Sequence, residues 1–423
     1  MCDDISKIIL KLKEKKYIKN KSNLTSLFVN YTIPIKELEI LLNALKVNSS
    51  ITFLNLRERK INNEEWKLLA EVLKVNSSLK FLSLDFISND EGIKSLTEAL
   101  KVSSLTKLHL YGDYYIGSKL KNKRIGTLNE ALMANTSLTN LLINFNYFEN
   151  EDIKLLSEAL KASSLVELNL SNNVIENEGL KSLSEALKIN SSLTKLNLSD
   201  NYIGNDGLES LSEALKINNS LIELDLKDIH ITNKGMKLLC DALKASSLTS
   251  LNLRSNNLED EKIEPLAEVL KINSSLTKLD LRFNKINNDG IKILSEALKI
   301  NYFLTSIYLN YNNIGSGIIS LSEALKINSS LVELNLSNNV IENEGLISLS
   351  EALKVNTTLT TLNLGENLYK KEGIFALSEA LKTCSLIYLD ITGNFLSNEE
   401  VKSLDEALKI NSSLTGLDFN WIG

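Results

Sequence analysis

The pattern L-x-x-L-x-L begins at Leu24, Ile51, Leu79, Leu105, Leu138, Leu165, Leu193, Leu221, Leu248, Leu276, Leu304, Leu331, Leu359, Leu386 and Leu414. Successive starts are 27 or 28 residues apart, except for 26 before Leu105 and 33 before Leu138. Fifteen copies at one period over nearly the whole chain restrict the fold to a stack of like units, each burying its apolar face only against its neighbours. The stretch LVELNLSNNVIENEGL occurs at Leu165 to Leu180 and again at Leu331 to Leu346, six repeats on. It shows a unit constrained by folding alone and so gives a baseline for the others.

Two elements are legible inside a unit. In Glu167 to Ser171, Leu168 and Leu170 alternate with polar residues, the period of a half-buried strand. From Glu178 to Lys188, Leu180, Leu183 and Leu187 recur at helical spacing with Ala186 beside them. Asn177 is the expected N-cap, with Glu178 at the positive helix end and Lys188 at the negative one.

An asparagine recurs after the strand at Asn146, Asn173, Asn201, Asn256, Asn284, Asn312, Asn339, Asn367 and Asn394. Its expected place is inside the turn, donating to and accepting from backbone groups hidden from water. One such group left unpaired would cost about 1–3 kcal/mol. Glycines such as Gly179 and Gly345 recur at helix starts and read as structural, and Trp66 stands where its helix has a core leucine. The sequons at Asn48, Asn76, Asn190, Asn273, Asn328, Asn356 and Asn411 fall just past helix ends, where a left-handed asparagine is expected to terminate the helix.

With L-x-x-L-x-L-x-x-N-x-[IL] followed by an L-x-x-L-x-x-x-L helix, the chain resembles the ribonuclease-inhibitor class of leucine-rich repeats, the type found in NOD-like receptors and Ran GTPase-activating proteins. Cys240 in LLCDALKASSL and Cys384 in LKTCSLIYL stand where that class often has cysteine. The resemblance implies an α/β solenoid, a horseshoe with a parallel sheet on its concave face and helices on its convex face. Fifteen strands about 4.8 Å apart would span an arc of ~67 Å, a length suited to a folded protein partner. The expected organisation is a capping helix over 1–22 and a solenoid over 23–423. The solenoid is irregular through 137, with an insertion at 111–126, and regular from 138 on.

Composition excludes several classes. The 423 residues carry a formal net charge of -6, which argues against a general nucleic-acid binder. No apolar run of membrane-spanning length occurs, and Met1 to Asn20 lacks an apolar leader core, so a cytoplasmic address is expected, in the producing cell or a host. Three cysteines, Cys2, Cys240 and Cys384, are too scattered for a disulfide framework or zinc site. The two histidines, His109 and His230, have no ligand-spaced neighbours, and neither phosphate-binding glycine motif is present. No cofactor, metal, catalytic residue or small-molecule substrate is expected.

Function in such an array should sit where the scaffold letters persist and the exposed ones change. Glu167, Asn169, Ser171, Lys195, Asn197, Ser199, Glu333, Asn335 and Ser337 are bland. In the first five units the same strand phase and the position after it carry Phe28, Tyr31, Phe53, Phe81, Phe86, His109, Tyr111 and Phe145. Exposed aromatics on a rigid surface are the residue types that carry interface energy. Two readings stand side by side: a partner-binding patch, or rings tucked into an amino-terminal cap. A second group, Arg254, Arg282, Phe283, Tyr308 and Tyr311, falls on three successive units; Asp280 and Asp225 share its phase and are alternative partners for the arginines.

The insertion carries Lys119, Lys121, Lys123 and Arg124, either a binding loop or a solvated basic one. Ile5, Ile8, Ile9 and Leu12 fall on one helical face, read as a cap for the open end of the stack rather than as a membrane-surface helix. The last residues, Asn420-Trp421-Ile422-Gly423, either fold over the other end or lead into further sequence. The reading that follows is a non-enzymatic scaffold binding a protein through its concave face. A small-GTPase regulator with Arg124 or Arg254 as contributors, and the sensor fragment of a larger NOD-like receptor, are the alternatives.

Overall fold

The computed structural model describes residues 25–29, 34–57, 61–85, 90–112, 125–394 and 396–420. The expected capping helix, Tyr31, Phe86, the cations of the insertion and Trp421 lie outside these residues. Two compact units divide the chain, Met1–Tyr202 and Ile203–Gly423.

The first unit holds strands β1 (Ser26–Phe28), β2 (Phe53–Asn55), β3 (Phe81–Asp85), β4 (Lys107–Tyr111), β5 (Asn140–Leu142), β6 (Glu167–Asn169) and β7 (Lys195–Asn197). Each pairs in parallel with the next, in sequence order. The register steps by one repeat, so that Phe53 faces Phe81, Phe81 faces Lys107, Lys107 faces Asn140 and Asn140 faces Glu167. The second unit repeats the arrangement with β8 (Glu223–Asp225), β9 (Ser250–Asn252), β10 (Lys278–Asp280), β11 (Ser306–Tyr308), β12 (Glu333–Asn335), β13 (Thr361–Asn363), β14 (Tyr388–Asp390) and β15 (Gly416–Asp418). A helix follows each strand from β1 to β14, usually of eleven residues as in Asn177–Leu187.

Leucine spacing builds the core. Leu168 and Leu170 of the strand segment, Ile175 of the turn and Leu180, Leu183 and Leu187 of the helix are all buried to within 1% of complete exclusion from solvent. Truncating such a leucine to alanine costs about 2–5 kcal/mol. Trp66 is likewise buried, beneath the helix start at Gly92, where a Cβ would come within 2.8 Å of the indole.

Asparagines tie the repeats together at three levels. The consensus Asn173 donates from Nδ2 to the Ile143 and Leu170 carbonyls, both at 2.9 Å, and its Oδ1 accepts from the Asn146 and Phe148 amides. Asn146, Asn201, Asn256, Asn284, Asn312, Asn339, Asn367 and Asn394 each donate to a leucine carbonyl of the preceding repeat. These bonds cross from turn to turn, so each repeat satisfies its neighbour's backbone.

The second level corrects the expected cap. Glu176, with extended backbone, is the N-cap and Asn177 the first helical residue; Asn150 of the preceding repeat caps the helix, its Oδ1 accepting from the amides of Glu176 and Gly179 at 3.0 Å. Asn343 does the same for Lys370 and Gly373. A Cβ on Gly179 would stand 2.7 Å from Asn150 Oδ1, which explains glycine at this helix start.

At the third level the sequon asparagines depart from the left-handed expectation. Asn76 has φ −86°, and none of the seven has a positive φ. The side chain makes the cap instead: Asn190 Oδ1 accepts from the Ser192 and Leu193 amides while its Nδ2 donates to the Leu160 carbonyl at 2.7 Å. Asn328 likewise donates to the Leu298 and Asn301 carbonyls. With Nδ2 buried and engaged, Asn190 and Asn328 present no glycan acceptor in the folded chain.

Candidate functional site

Because strand residues alternate in direction, the odd positions of each strand form rows across neighbouring repeats. In the first unit one row begins with Phe53 and Phe81, rings 4.5 Å apart at 31°, with Lys107 Nζ 5.2 Å from the Phe81 centroid. Phe28 meets Phe53 edge to face at 5.1 Å and is 67% exposed. Two rows over, Arg57 lays its guanidinium carbon 3.7 Å from the Tyr111 centroid, with Nε 3.8 Å from Asp85 Oδ1. Tyr111 contacts His109 at 5.6 Å and Phe145 at 5.2 Å. The expected residues Phe53, Phe81, His109, Tyr111 and Phe145 therefore meet in two ring clusters, all partly buried.

His109 Nε2 lies 2.7 Å from Asn144 Oδ1, within reach for the Nε2–H tautomer to donate to the amide oxygen. Burial pushes its pKa below the usual histidine value; the Asn144 bond opposes this, while Arg57 and Lys107 add to it.

In the second unit, Phe283 and Tyr311 stack with centroids 4.1 Å apart and planes 11° from parallel. Arg254 caps the stack, its Cζ 4.3 Å from the Phe283 centroid. Arg282 turns instead to Asp280, with Nε 2.9 Å from both carboxylate oxygens and Nη2 2.5 Å from Oδ2. Asp225 takes the Lys227 amide at 2.9 Å, and burial raises its pKa. Tyr308 donates its hydroxyl to Glu333 Oε2 at 2.7 Å, and Lys278 Nζ stands 5.2 Å from its ring. Burial, then Glu333, push the Tyr308 pKa up.

Phe145, Phe283 and Tyr311 have φ of 60°, 54° and 58°. They share one turn position with Asn172, Asp200, Asp228, Ser255, Asn338 and Glu366, all left-handed. Bulky side chains are disfavoured there, so these rings occupy places where folding alone favours Asn, Asp or Gly.

Sequence reasoning missed an exposed apolar ridge at the helix C-terminal turns. Ile272, Ile300, Ile327 and Val355, each following the helix-capping lysine, are more than half exposed, and Tyr302 and Phe303 join them where other repeats have serines. The signal was NYF in place of N-S-S.

Chemically, the clusters offer ring faces, one guanidinium-capped stack and few reactive groups. Among the described residues no group of three or more His, Cys, Asp or Glu is placed to hold a metal ion. Burial pushes the Cys240 thiol up to about 12, away from nucleophilic use. No helix among the described residues is long and apolar enough to cross a membrane.

Parallel strands alternating with helices, mostly at a period of 27 to 28 residues and locked by asparagines, define a leucine-rich repeat protein. Residues 161–184, 190–212, 244–267, 273–295, 328–350 and 355–378 match the Leucine Rich repeat family. No curated protein matches the chain. Among solved structures, the chain is similar to the crystal structure of the Rad7 and Elc1 complex in yeast, at 20% identity over 99% of this chain and 88% of that one, with a TM-score of 0.49. The mouse RP105/MD-1 complex matches at 18% identity over 89% of this chain and 61% of that one, with a TM-score of 0.49. Leiomodin-1 actin-binding site 2 matches at 22% identity, covering 36% and 86%, with a TM-score of 0.30.

Proposed function

We propose that this chain is a non-enzymatic protein-binding scaffold, related in repeat type to the ribonuclease-inhibitor class, that recognises a protein partner through the strand face. The observation that carries the reading is the placement of aromatic and arginine side chains in register across neighbouring repeats, beside units whose same positions hold Glu, Asn and Ser. Rigid rings on paired strands bury area on binding with little loss of freedom, and arginine beside them is a common hot-spot pairing. A reducing cytoplasm suits the buried free thiols Cys240 and Cys384.

The test is capture from native cells with the full chain, against Phe53→Ala/Phe81→Ala/Tyr111→Ala and Phe283→Asn/Tyr311→Asn variants of unchanged circular dichroism. Loss of a specific protein in either variant, with hydrogen-exchange protection of strand-face segments in the wild-type complex, is the expected result. Unchanged recovery by both folded variants would overturn the reading.

A further inference from the structure

Resting on that reading, we infer that Arg254 with Phe283 and Tyr311 forms a docking site for an aspartate or glutamate side chain carried next to an apolar residue of the partner protein. Two arginines in adjacent repeats are treated differently. Arg282 is closed by Asp280, which also accepts the Arg282 backbone amide at 3.0 Å. Arg254 follows Asn252 instead, whose Oδ1 takes only its backbone amide. Among the described residues no carboxylate lies within ion-pair distance of Arg254, and its Nε is shielded from solvent without a hydrogen-bond partner.

One face of the Arg254 guanidinium is desolvated by Phe283, and Phe283 is held in place by Tyr311. A planar cation so fixed presents its edge as a two-pronged donor matched to a carboxylate, and partial loss of water strengthens the pair. With Arg282 closed by Asp280, this site offers one open guanidinium, so charge complementarity favours a single monoanion over a dianionic phosphate. Phe283 and Tyr311 are 39% and 42% exposed, leaving ring surface for an apolar neighbour of the acid. Both stand at the left-handed turn position that other repeats give to Asn, Asp or Ser, so the turn itself does not require a ring there.

The probe is a phage-displayed random dodecapeptide library panned on the full chain, with enriched sequences synthesised as carboxy-terminal amides and measured by fluorescence anisotropy. Enriched peptides should carry Asp or Glu beside an aliphatic or aromatic residue. Arg254→Gln should weaken them by about tenfold or more. Arg254→Lys should restore only part of this, since an ammonium lacks the fork, and Arg282→Gln should change affinity little by comparison. Changing the peptide's acid to its amide should weaken binding to wild type and add nothing in Arg254→Gln. Acid-free peptides, acidic ones indifferent to Arg254→Gln, or no enrichment would overturn the inference. Peptides that bind the strand face yet ignore Arg254 would defeat it while leaving the docking reading intact.

Discussion

Phe283 lies flat on Tyr311, centroids 4.1 Å apart and planes 11° from parallel, although both residues carry the positive φ that other repeats give to Asn172, Asp200 or Asn338. A left-handed backbone costs an aromatic residue about 1–2 kcal/mol, and the stack returns about 0.5–1.5 kcal/mol. Folding alone therefore gains little from these rings. Phe283→Asn should change stability by less than about 1 kcal/mol in urea unfolding, whereas Leu281→Ala, in the wholly buried position two residues earlier, should cost about 2–5 kcal/mol. A large loss in Phe283→Asn would assign the ring to the fold rather than to a partner.

The asparagine bonds between turns predict local damage. Asn256 is fully buried; its Nδ2 donates to Leu226 and Leu253, and its Oδ1 accepts from the Ile229 and Ile231 amides. Asn256→Leu leaves those groups unpaired, at about 3 kcal/mol. A repeat array loses cooperativity piecemeal, so amide exchange is the right readout. Ile229 and Ile231 should exchange on the order of a hundredfold faster, with amides several repeats away unchanged.

Legibility of the sequence followed the range of the interactions. Strand and helix positions were readable because Leu168, Leu170, Leu180, Leu183 and Leu187 encode their period locally, and fifteen strands stand at the fifteen pattern starts. The helix cap was misread because the group that caps Glu176 and Gly179 is Asn150, a full repeat upstream, where rules about adjacent residues do not reach. The sequon asparagines share this reason in part: Asn190 accepts from the nearby Ser192 and Leu193 amides but donates to Leu160, a repeat upstream. The difference between Arg254 and Arg282 was present in the letters as LNLR against LDLR, and the shared phase marked Asp280 as a partner for the arginines; that it closes Arg282 and leaves Arg254 open is a matter of side-chain geometry.

Repeat-to-repeat capping also predicts a coupling. Gly179→Ala brings Cβ to 2.7 Å from Asn150 Oδ1 and displaces the cap, a strain of about 1–3 kcal/mol. Asn150→Ala alone loses the bonds to Glu176 and Gly179, at about 1 kcal/mol. With Asn150 already shortened, the 2.7 Å clash is gone; Ile175 Cγ2 at 3.1 Å and the Cα of residue 150 at 3.3 Å need shift by only a few tenths of an ångström, and alanine favours the helix more than glycine. The double variant should be more stable than the summed single losses by about 1 kcal/mol or more, measured as a double-mutant cycle. Additive losses would show that Asn150 is not what excludes a side chain at Gly179.

His109 ties stability to pH. Its partial burial lowers the folded-state pKa below the ordinary 6.5, opposed by the Asn144 bond and reinforced by the charges of Arg57 and Lys107; the ring also faces Tyr111. A depressed folded value means that the unfolded chain binds the proton more readily. The contribution is therefore fully present above about 6.5 and is lost as the pH falls toward and through the folded value. His109→Gln removes this titration while keeping a side-chain donor for Asn144. Measured as urea midpoints from about pH 8 down to about pH 5, the wild type should lose stability relative to His109→Gln only below about 6.5, and the gap should level off once both states are protonated. A gap that is constant across the range, or that opens with rising pH, would contradict the lowered pKa.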